Sequence, residues 1–128
     1  MAGGFADQLY SYRLGYSIEK LYNRKVLYDI SWYSYYGKDN NGKYNRNFEL
    51  LNIFSDIPFT IATDYEIKIG KIQSDIIHRY KNIDIVEMLN KEKIFYLNRL
   101  CIDETKIKKL SFNEVFDLDK YILPKLDS

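Results

Sequence analysis

The sequence predicts an α/β fold, and three observations indicate it. A Gly3-Gly4 pair precedes an amphipathic helix over residues 7–23. Residues 25–30 (KVLYDI) then form a run that is too short for a helix and is rich in β-branched and aromatic side chains, which is typical of a strand. A glycine turn, a helix and a strand in this order form the second half of a β-α-β unit, and mainly helical patterns follow. The apolar positions of the helix are Tyr10, Leu14, Ile18 and Leu21.

The rest of the N-terminal half yields local predictions. Asp7 is expected to be the N-cap of the first helix, since its carboxylate can accept hydrogen bonds from the free N–H groups of the first turn. Residues 31–47 mix aromatic side chains with turn formers, which predicts a long surface loop with a turn at Asn41-Gly42. Residues 48–54 fit either a short strand or a helical turn, and Pro58 interrupts regular secondary structure after them.

A capping box predicts where the next helix begins. In residues 63–66 (TDYE), the Thr side chain and the Glu three residues later can satisfy each other's backbone donors, so a helix should begin at Asp64. Alternating apolar residues from Tyr65 to Ile69 would also suit a strand. If the segment is helical, one face carries Ile69, Ile72, Ile76, Tyr80 and Ile83.

The C-terminal third contains shorter elements. Residues 83–90 predict a second helix or a continuation of the preceding one, and residues 94–97 (IFYL) have strand character. A second capping box at residues 111–114 (SFNE) should open a short helix that runs to Leu118.

The charge balance argues against two classes of partner. The chain has 128 residues, with 19 basic and 18 acidic side chains and a formal charge of +1. Divided at Asp64, the first half holds 7 basic and 7 acidic residues and the second half 12 and 11. We therefore expect no nucleic acid partner, and no general attraction to an anionic membrane. The length and ordinary composition predict a single α/β domain over residues 1–128.

Cysteine content and hydropathy predict a cytoplasmic protein. Cys101 is the only cysteine, so it has no internal disulfide partner, which fits a reducing compartment. No window approaches the roughly 18 consecutive apolar residues of a membrane span, and residues 1–4 lack the basic start of a signal peptide.

Three sequence segments together resemble one enzyme family. Residues 3–15 (GGFADQLYSYRLG) resemble G-G-L-G-N-Q-[LM]-F-Q-Y-A-x-G, the opening motif of the bacterial α-1,2-fucosyltransferases of glycosyltransferase family 11. Residues 27–33 (LYDISWY) look like the L-x-L-D-I-S-W-F that follows one helix later in that family. Residues 46–50 (RNFEL), followed by residues 53–54, look like its R-x-[YF]-x-L and F-N-I segment. The likeness is clear over residues 3–33 and weaker from there to about residue 66.

The resemblance implies both an architecture and a reaction. Members have a GT-B fold, with two Rossmann-like domains facing each other across a cleft, and this chain would be the N-terminal, acceptor-side half. The implied activity moves L-fucose from GDP-fucose to a galactoside hydroxyl in surface glycan synthesis, with no metal and no cofactor beyond the donor substrate. The implied partners are a nucleotide sugar and a glycan acceptor. A lipid-linked glycan would also place the chain at the inner face of the membrane.

The resemblance assigns substrate-binding roles to Gly3, Gly4, Asp7 and Gln8. A turn without Cβ atoms lets the backbone approach a ligand, while the helix after it offers unsatisfied N–H groups. Gln8 would either hydrogen-bond a sugar hydroxyl or hold the loop. Asp7 is at least as well suited to capping as to catalysis, so the catalytic residues stay unassigned.

Two features predict that the chain alone is inactive. The family's later H-x-R-x-G-D motif, which resembles the site that grips GDP-fucose, has no counterpart, because the only histidine, His78, is followed by Arg-Tyr-Lys. A GT-B enzyme also needs two domains, whereas 128 residues supply about one. We therefore expect a truncated chain without the nucleotide-sugar domain, and a complementing C-terminal fragment as a partner.

Alternatives to an enzyme are also open. The chain could be a non-catalytic α/β remnant that serves as an interaction or structural module. A small Rossmann-type nucleotide binder is a weaker idea, since no G-x-G-x-x-G spacing follows Gly3-Gly4. His78 and Cys101 are expected to be neither metal ligand nor nucleophile, and the Asp117-x-Asp119 pair is expected to end a helix rather than bind a metal. The aromatic residues around Trp32 are expected to pack on the domain.

Overall fold

The computed structural model of the chain is built mainly from helices. The residues that the structure describes are 1–35, 38–39, 44–45, 47–78, 84–91, 96–97 and 103–116. Their helices are α1 (Phe5–Tyr22), α2 (Trp32–Tyr35), α3 (Leu50–Ile53), α4 (Asp64–His78), α5 (Ile85–Leu89) and α6 (Phe112–Val115), with a 3₁₀ turn at Glu104–Lys106. Two-residue strands β1 (Lys38–Asp39) and β2 (Tyr44–Asn45) pair antiparallel.

The predicted α/β architecture is wrong. Within the described ranges the structure is mostly helical and contains no parallel sheet. It therefore does not support the Rossmann-like, GT-B half-molecule implied by the resemblance. Parallel pairing is limited there to one isolated bridge between Tyr28 and Ile61.

The predicted strand over residues 25–30 is reduced to this bridge because other groups take the neighbouring backbone positions. Tyr28 N–H donates to the Thr60 carbonyl at 2.9 Å, and its own carbonyl accepts from Ala62 N–H at 2.9 Å. On one side, Val26 N–H donates to the Glu19 carboxylate at 2.9 Å. On the other side, the Met1 ammonium donates to the Asp29 carbonyl at 2.7 Å.

Helix α1 begins two residues earlier than predicted. Gly4 is its N-cap, with extended backbone (φ −77°, ψ −174°), so Asp7 lies in the first turn and is not the cap. A carboxylate in the first turn still favours the helix, because it lies near the positive end of the helix dipole. The helix ends at Tyr22, and its C-cap is Asn23, whose left-handed backbone (φ 53°) suits an asparagine.

Both capping boxes are confirmed. At the start of α4, Thr63 N–H donates to Glu66 Oε1 at 2.9 Å and Glu66 N–H donates to Thr63 Oγ1 at 3.2 Å. This also settles the choice between helix and strand over these residues in favour of the helix. Ser111 and Glu114 make the same reciprocal pair before α6, although that helix ends at Val115 rather than at residue 118.

The other local predictions have mixed outcomes. The segment 48–54 contains the helical turn α3, and a separate helix α5 follows a cap in which the Asp84 carboxylate accepts from Val86 N–H. The predicted loop 31–47 includes the short helix α2 and strands β1 and β2. Residues 96–97 are not in a strand. Several predictions lie outside the described residues: those at Asn41-Gly42, Tyr80, Ile83, 94–95, Cys101 and 117–119, and those for the side chains of Ile76 and His78.

Helix α1 contributes to two apolar clusters. One contains Tyr12 and Tyr28, and its fully buried members include Leu50 and Phe116. The other combines Leu14 and Ile18 of α1 with Ile85, Leu89 and Ile107. Because α1 belongs to both clusters, it fixes the position of the turn that precedes it. No helix in the described ranges has the length and apolar character needed to cross a membrane.

Candidate functional site

The Gly3-Gly4 turn adopts a backbone that depends on glycine. Gly3 has φ +86°, a region that side chains with a Cβ rarely adopt. A Cβ at Gly3 would also lie 2.5 Å from Oδ2 of Asp7, so the Asp7 carboxylate rests directly over the turn. Gly4 supplies no side-chain cap to α1. The exposed Asp7 carboxylate and the start of α1 therefore form the surface of the candidate site.

Gln8 connects this turn to a distant part of the chain. Its side chain is fully buried. Its amide nitrogen donates to the Gly3 carbonyl at 3.3 Å and to the Asn47 carbonyl at 2.9 Å. Its amide oxygen accepts from the N–H groups of Glu49 and Leu50, both at 3.0 Å. These bonds use the full capacity of a primary amide, so of the two roles open in the sequence the geometry favours holding the loop.

Tyr33 fixes the turn from the other side. Its hydroxyl donates to the Gly3 carbonyl at 3.0 Å, and its ring lies 5.7 Å from that of Phe48. Burial raises the pKa of Tyr33 to about 12; the Gln8 amide beside the hydroxyl opposes this rise and the Asp7 carboxylate adds to it. The hydroxyl therefore stays protonated near neutral pH and keeps its hydrogen bond to the turn.

Asp29 organises the chain just before α2. Its Oδ1 accepts from Ser31 N–H at 2.9 Å and from Ser31 Oγ at 2.6 Å, and its Oδ2 accepts from the Tyr96 hydroxyl at 2.8 Å. Burial pushes the pKa of Asp29 upward, but these hydrogen bonds and the Met1 ammonium outweigh it and hold the pKa below its usual value. Burial and the Asp29 carboxylate together raise the pKa of Tyr96.

The residues with predicted site roles are close together, but they differ in exposure. Gly3, Gly4 and Asp7 border the surface of the turn, whereas Gln8 lies beneath it. Tyr33 had no predicted role at this site, although it belongs to the LYDISWY segment on which the resemblance depends. The position of that segment relative to residues 3–15 was the sequence signal that could have identified Tyr33 as part of the site.

The turn offers hydrogen-bonding groups and the carboxylate of Asp7. The Asp7 carboxylate can accept hydrogen bonds, and the first turn of α1 offers backbone donors. In the part of the chain that the structure describes, no group of three or more His, Cys, Asp or Glu residues could hold a metal ion. The arrangement suits a neutral polar ligand such as a sugar better than an anion.

Three comparisons with known proteins give no relative for this chain. No family model matches it, and no curated protein or solved structure matches it at a significant level.

Proposed function

We propose that the chain is a glycosyltransferase-related protein of the α-1,2-fucosyltransferase type. In this proposal it holds the galactoside acceptor during surface glycan synthesis and does not transfer fucose from GDP-fucose by itself. Residues 1–128 contain no counterpart of the H-x-R-x-G-D motif, so transfer would require a nucleotide-sugar site that these residues do not supply.

The meeting of the three motif segments at one point carries this proposal. Gln8 of the first segment binds the backbone of Asn47, Glu49 and Leu50 in the third. Tyr33 of the second segment binds Gly3 of the first. A chance likeness of short segments gives no reason for them to meet around one turn. A shared ancestral site would explain why they meet, and this explanation supports the proposed relationship.

The charge at the turn supports an acceptor rather than a donor as the ligand. Asp7 is exposed and lies over Gly3, where a GDP diphosphate would be repelled by its carboxylate. A galactoside is neutral, and its hydroxyl groups can donate to that carboxylate and accept from the first-turn N–H groups of α1.

Titration of the ¹⁵N-labelled chain tests this proposal. With lactose as the galactoside, we expect shifts of the Gly3 and Gly4 amide signals, while GDP and GDP-fucose leave these signals unchanged. Asp7→Ala should remove the lactose response. Asp56→Ala, which replaces another exposed aspartate, should retain it. An enzymatic assay with GDP-fucose and lactose should yield no fucosylated product. Absence of a lactose response, or fucosyl transfer by the chain alone, would contradict the proposal.

A second candidate is a structural or interaction module with no ligand at this turn. The hydrogen bonds at the turn favour this second candidate. The Gln8 amide and the Tyr33 hydroxyl both donate to backbone carbonyls of the protein itself. The same titration separates the two functions, because a module of this kind gives no response to lactose, GDP or GDP-fucose.

A further inference from the structure

One face of α4 exposes apolar side chains in a helical pattern. Tyr65 is 72% exposed and Ile72 is 46% exposed, and they lie two turns apart on the same face with Lys68 between them. The opposite side of the helix contains the buried Gly70 and the partly buried Ile67. Isolated exposed apolar residues are common, but two that lie two turns apart on one helix face, over residues 65–72, form a short stripe that another helix can cover.

The polar residues along this stripe are arranged in a way that suits a second copy of the same helix. Asp64 and Lys71 lie along one flank of the stripe, with opposite charges near its two ends. The Lys71 ammonium lies 5.3 Å from the centre of the Tyr96 ring of its own chain, so it would have to turn from that ring to pair with a second copy. In an antiparallel pair of α4 helices related by a two-fold axis, Tyr65 of each copy faces Ile72 of the other. The same register brings Asp64 of each copy within about 3 Å, along the helix axis, of Lys71 of the other. Each apolar contact and each ion pair then forms twice.

We propose that α4 is a self-association surface, through which two copies of this chain pair antiparallel. Tyr65 and Ile72 form the apolar contact, and Asp64 and Lys71 set the register. Lys68 lies near the two-fold axis, where its counterpart in the other copy repels it. The surface is small, so the pair is a weak and reversible dimer rather than a permanent one.

Sedimentation velocity over a range of concentrations, up to about 1 mM, tests the surface. We expect a monomer–dimer equilibrium, and we expect Tyr65→Glu and Ile72→Glu each to raise the dissociation constant at least about tenfold. Lys68→Gln should lower it, because it removes the repulsion near the axis. Ile53→Glu is the matched control, since Ile53 is an exposed isoleucine (38%) on α3 and should leave the equilibrium unchanged. Circular dichroism of each variant verifies that it is folded.

Charge exchange and cross-linking test the register. Asp64→Lys should weaken the dimer and Asp64→Lys with Lys71→Asp should restore it. In a Cys101→Ser background, a mixture of Tyr65→Cys and Ile72→Cys chains should form a disulfide-linked dimer. Neither variant should cross-link alone, because equivalent positions are then about 10 Å apart along the axis, beyond the reach of a disulfide.

Three results would overturn the proposal. The chain could stay monomeric up to the highest concentration, it could dimerise with the same constant after Tyr65→Glu and Ile72→Glu, or Tyr65→Cys alone could cross-link as readily as the mixture. A monomer that binds vesicles of anionic lipid through Tyr65 and Lys68 would belong to the first of these results and would identify the stripe as a membrane-contacting face.

Discussion

At the scale of single residues, two buried polar side chains connect distant parts of this protein. Gln8 and Ser17 are both fully buried, and each connects α1 to backbone far along the chain. Ser17 Oγ donates to the Arg13 carbonyl at 2.8 Å and accepts from Leu110 N–H at 2.9 Å, while Arg13 Nε donates to the Leu110 carbonyl at 2.8 Å. Removal of such a group leaves buried partners without hydrogen bonds, which costs more than the bond itself contributes.

Replacement of Gln8 should therefore be strongly destabilising. We expect Gln8→Leu to lower the free energy of unfolding by about 2–4 kcal/mol, because the buried N–H group of Leu50 and the partly buried N–H group of Glu49 lose their acceptor. Urea denaturation measures this difference. Asn52→Leu on the exposed side of α3 is the control, with an expected change within about 0.5 kcal/mol. Equal stability of wild type and Gln8→Leu would show that the amide is not a structural link.

Asp29 should make stability depend on acid pH. Its folded-state pKa is lowered, so the stabilisation by its carboxylate is fully present above the unfolded-state value of 3.8 and is lost as the pH falls through the folded-state value. We expect wild type to be more stable than Asp29→Asn at pH 6, and the difference to shrink as the pH falls below about 3.8. Denaturation at several pH values measures it; a difference that is independent of pH would exclude this role.

At the scale of elements, predictions based on local sequence are confirmed more often than those based on distant partners. The capping boxes at Thr63 and Ser111 are confirmed because each needs only a side chain three residues away. The prediction of a strand over residues 25–30 is wrong because a strand exists only where another strand pairs with it. Here Thr60 and Ala62 supply one bridge, and Glu19 and Met1 occupy the adjacent backbone groups.

The packing of α1 against Tyr28 gives a prediction at this scale. An alanine in a helix interior is normally about 1 kcal/mol more favourable than glycine. At Gly15 the effect should reverse, because a Cβ there would overlap the Tyr28 hydroxyl and lie 2.8 Å from its Cζ, while the ring is held against Phe59 at 4.3 Å. We expect Gly15→Ala to destabilise the protein by about 1–3 kcal/mol in denaturant unfolding.

The double variant Gly15→Ala with Tyr28→Phe provides the internal control. Phenylalanine lacks the hydroxyl that meets the new Cβ, so the double variant should be more stable than the sum of the two single effects predicts. Strict additivity would indicate that the Tyr28 hydroxyl is not the group that makes glycine necessary at residue 15.

At the scale of the whole molecule, buried tyrosines make the fold sensitive to alkali. Burial raises the pKa of Tyr28, Tyr33 and Tyr96 above the ordinary value of 10.0. Below pH 10 these hydroxyls are protonated in both states, and their contribution to stability is fully present. Above pH 10 the unfolded chain loses their protons first, so stability falls as the pH rises.

We therefore expect the contribution of these tyrosines to the free energy of unfolding to be constant between pH 7 and 9. The free energy of unfolding should then decline from about pH 10. Tyr28→Phe should make this decline less steep, because it removes the most deeply buried of the three hydroxyls. Urea denaturation at successive pH values, with tyrosinate absorbance as an independent signal, measures both effects. An unchanged slope in Tyr28→Phe would contradict this explanation.

Local signals in the sequence specified the existence of α1, the start of α4 and the start of α6. The apolar face predicted for α1 is only partly correct, since Leu14 and Ile18 are buried but Leu21 is 37% exposed. The sequence also identified Gly3, Gly4, Asp7 and Gln8 as a group. Only the folded structure decides which of these residues are accessible, since it buries Gln8 and leaves Asp7 exposed over the turn. The tertiary structure also decided the fold class. Helical signals lie within a few residues of one another, whereas sheet formation and burial depend on which distant backbone groups meet.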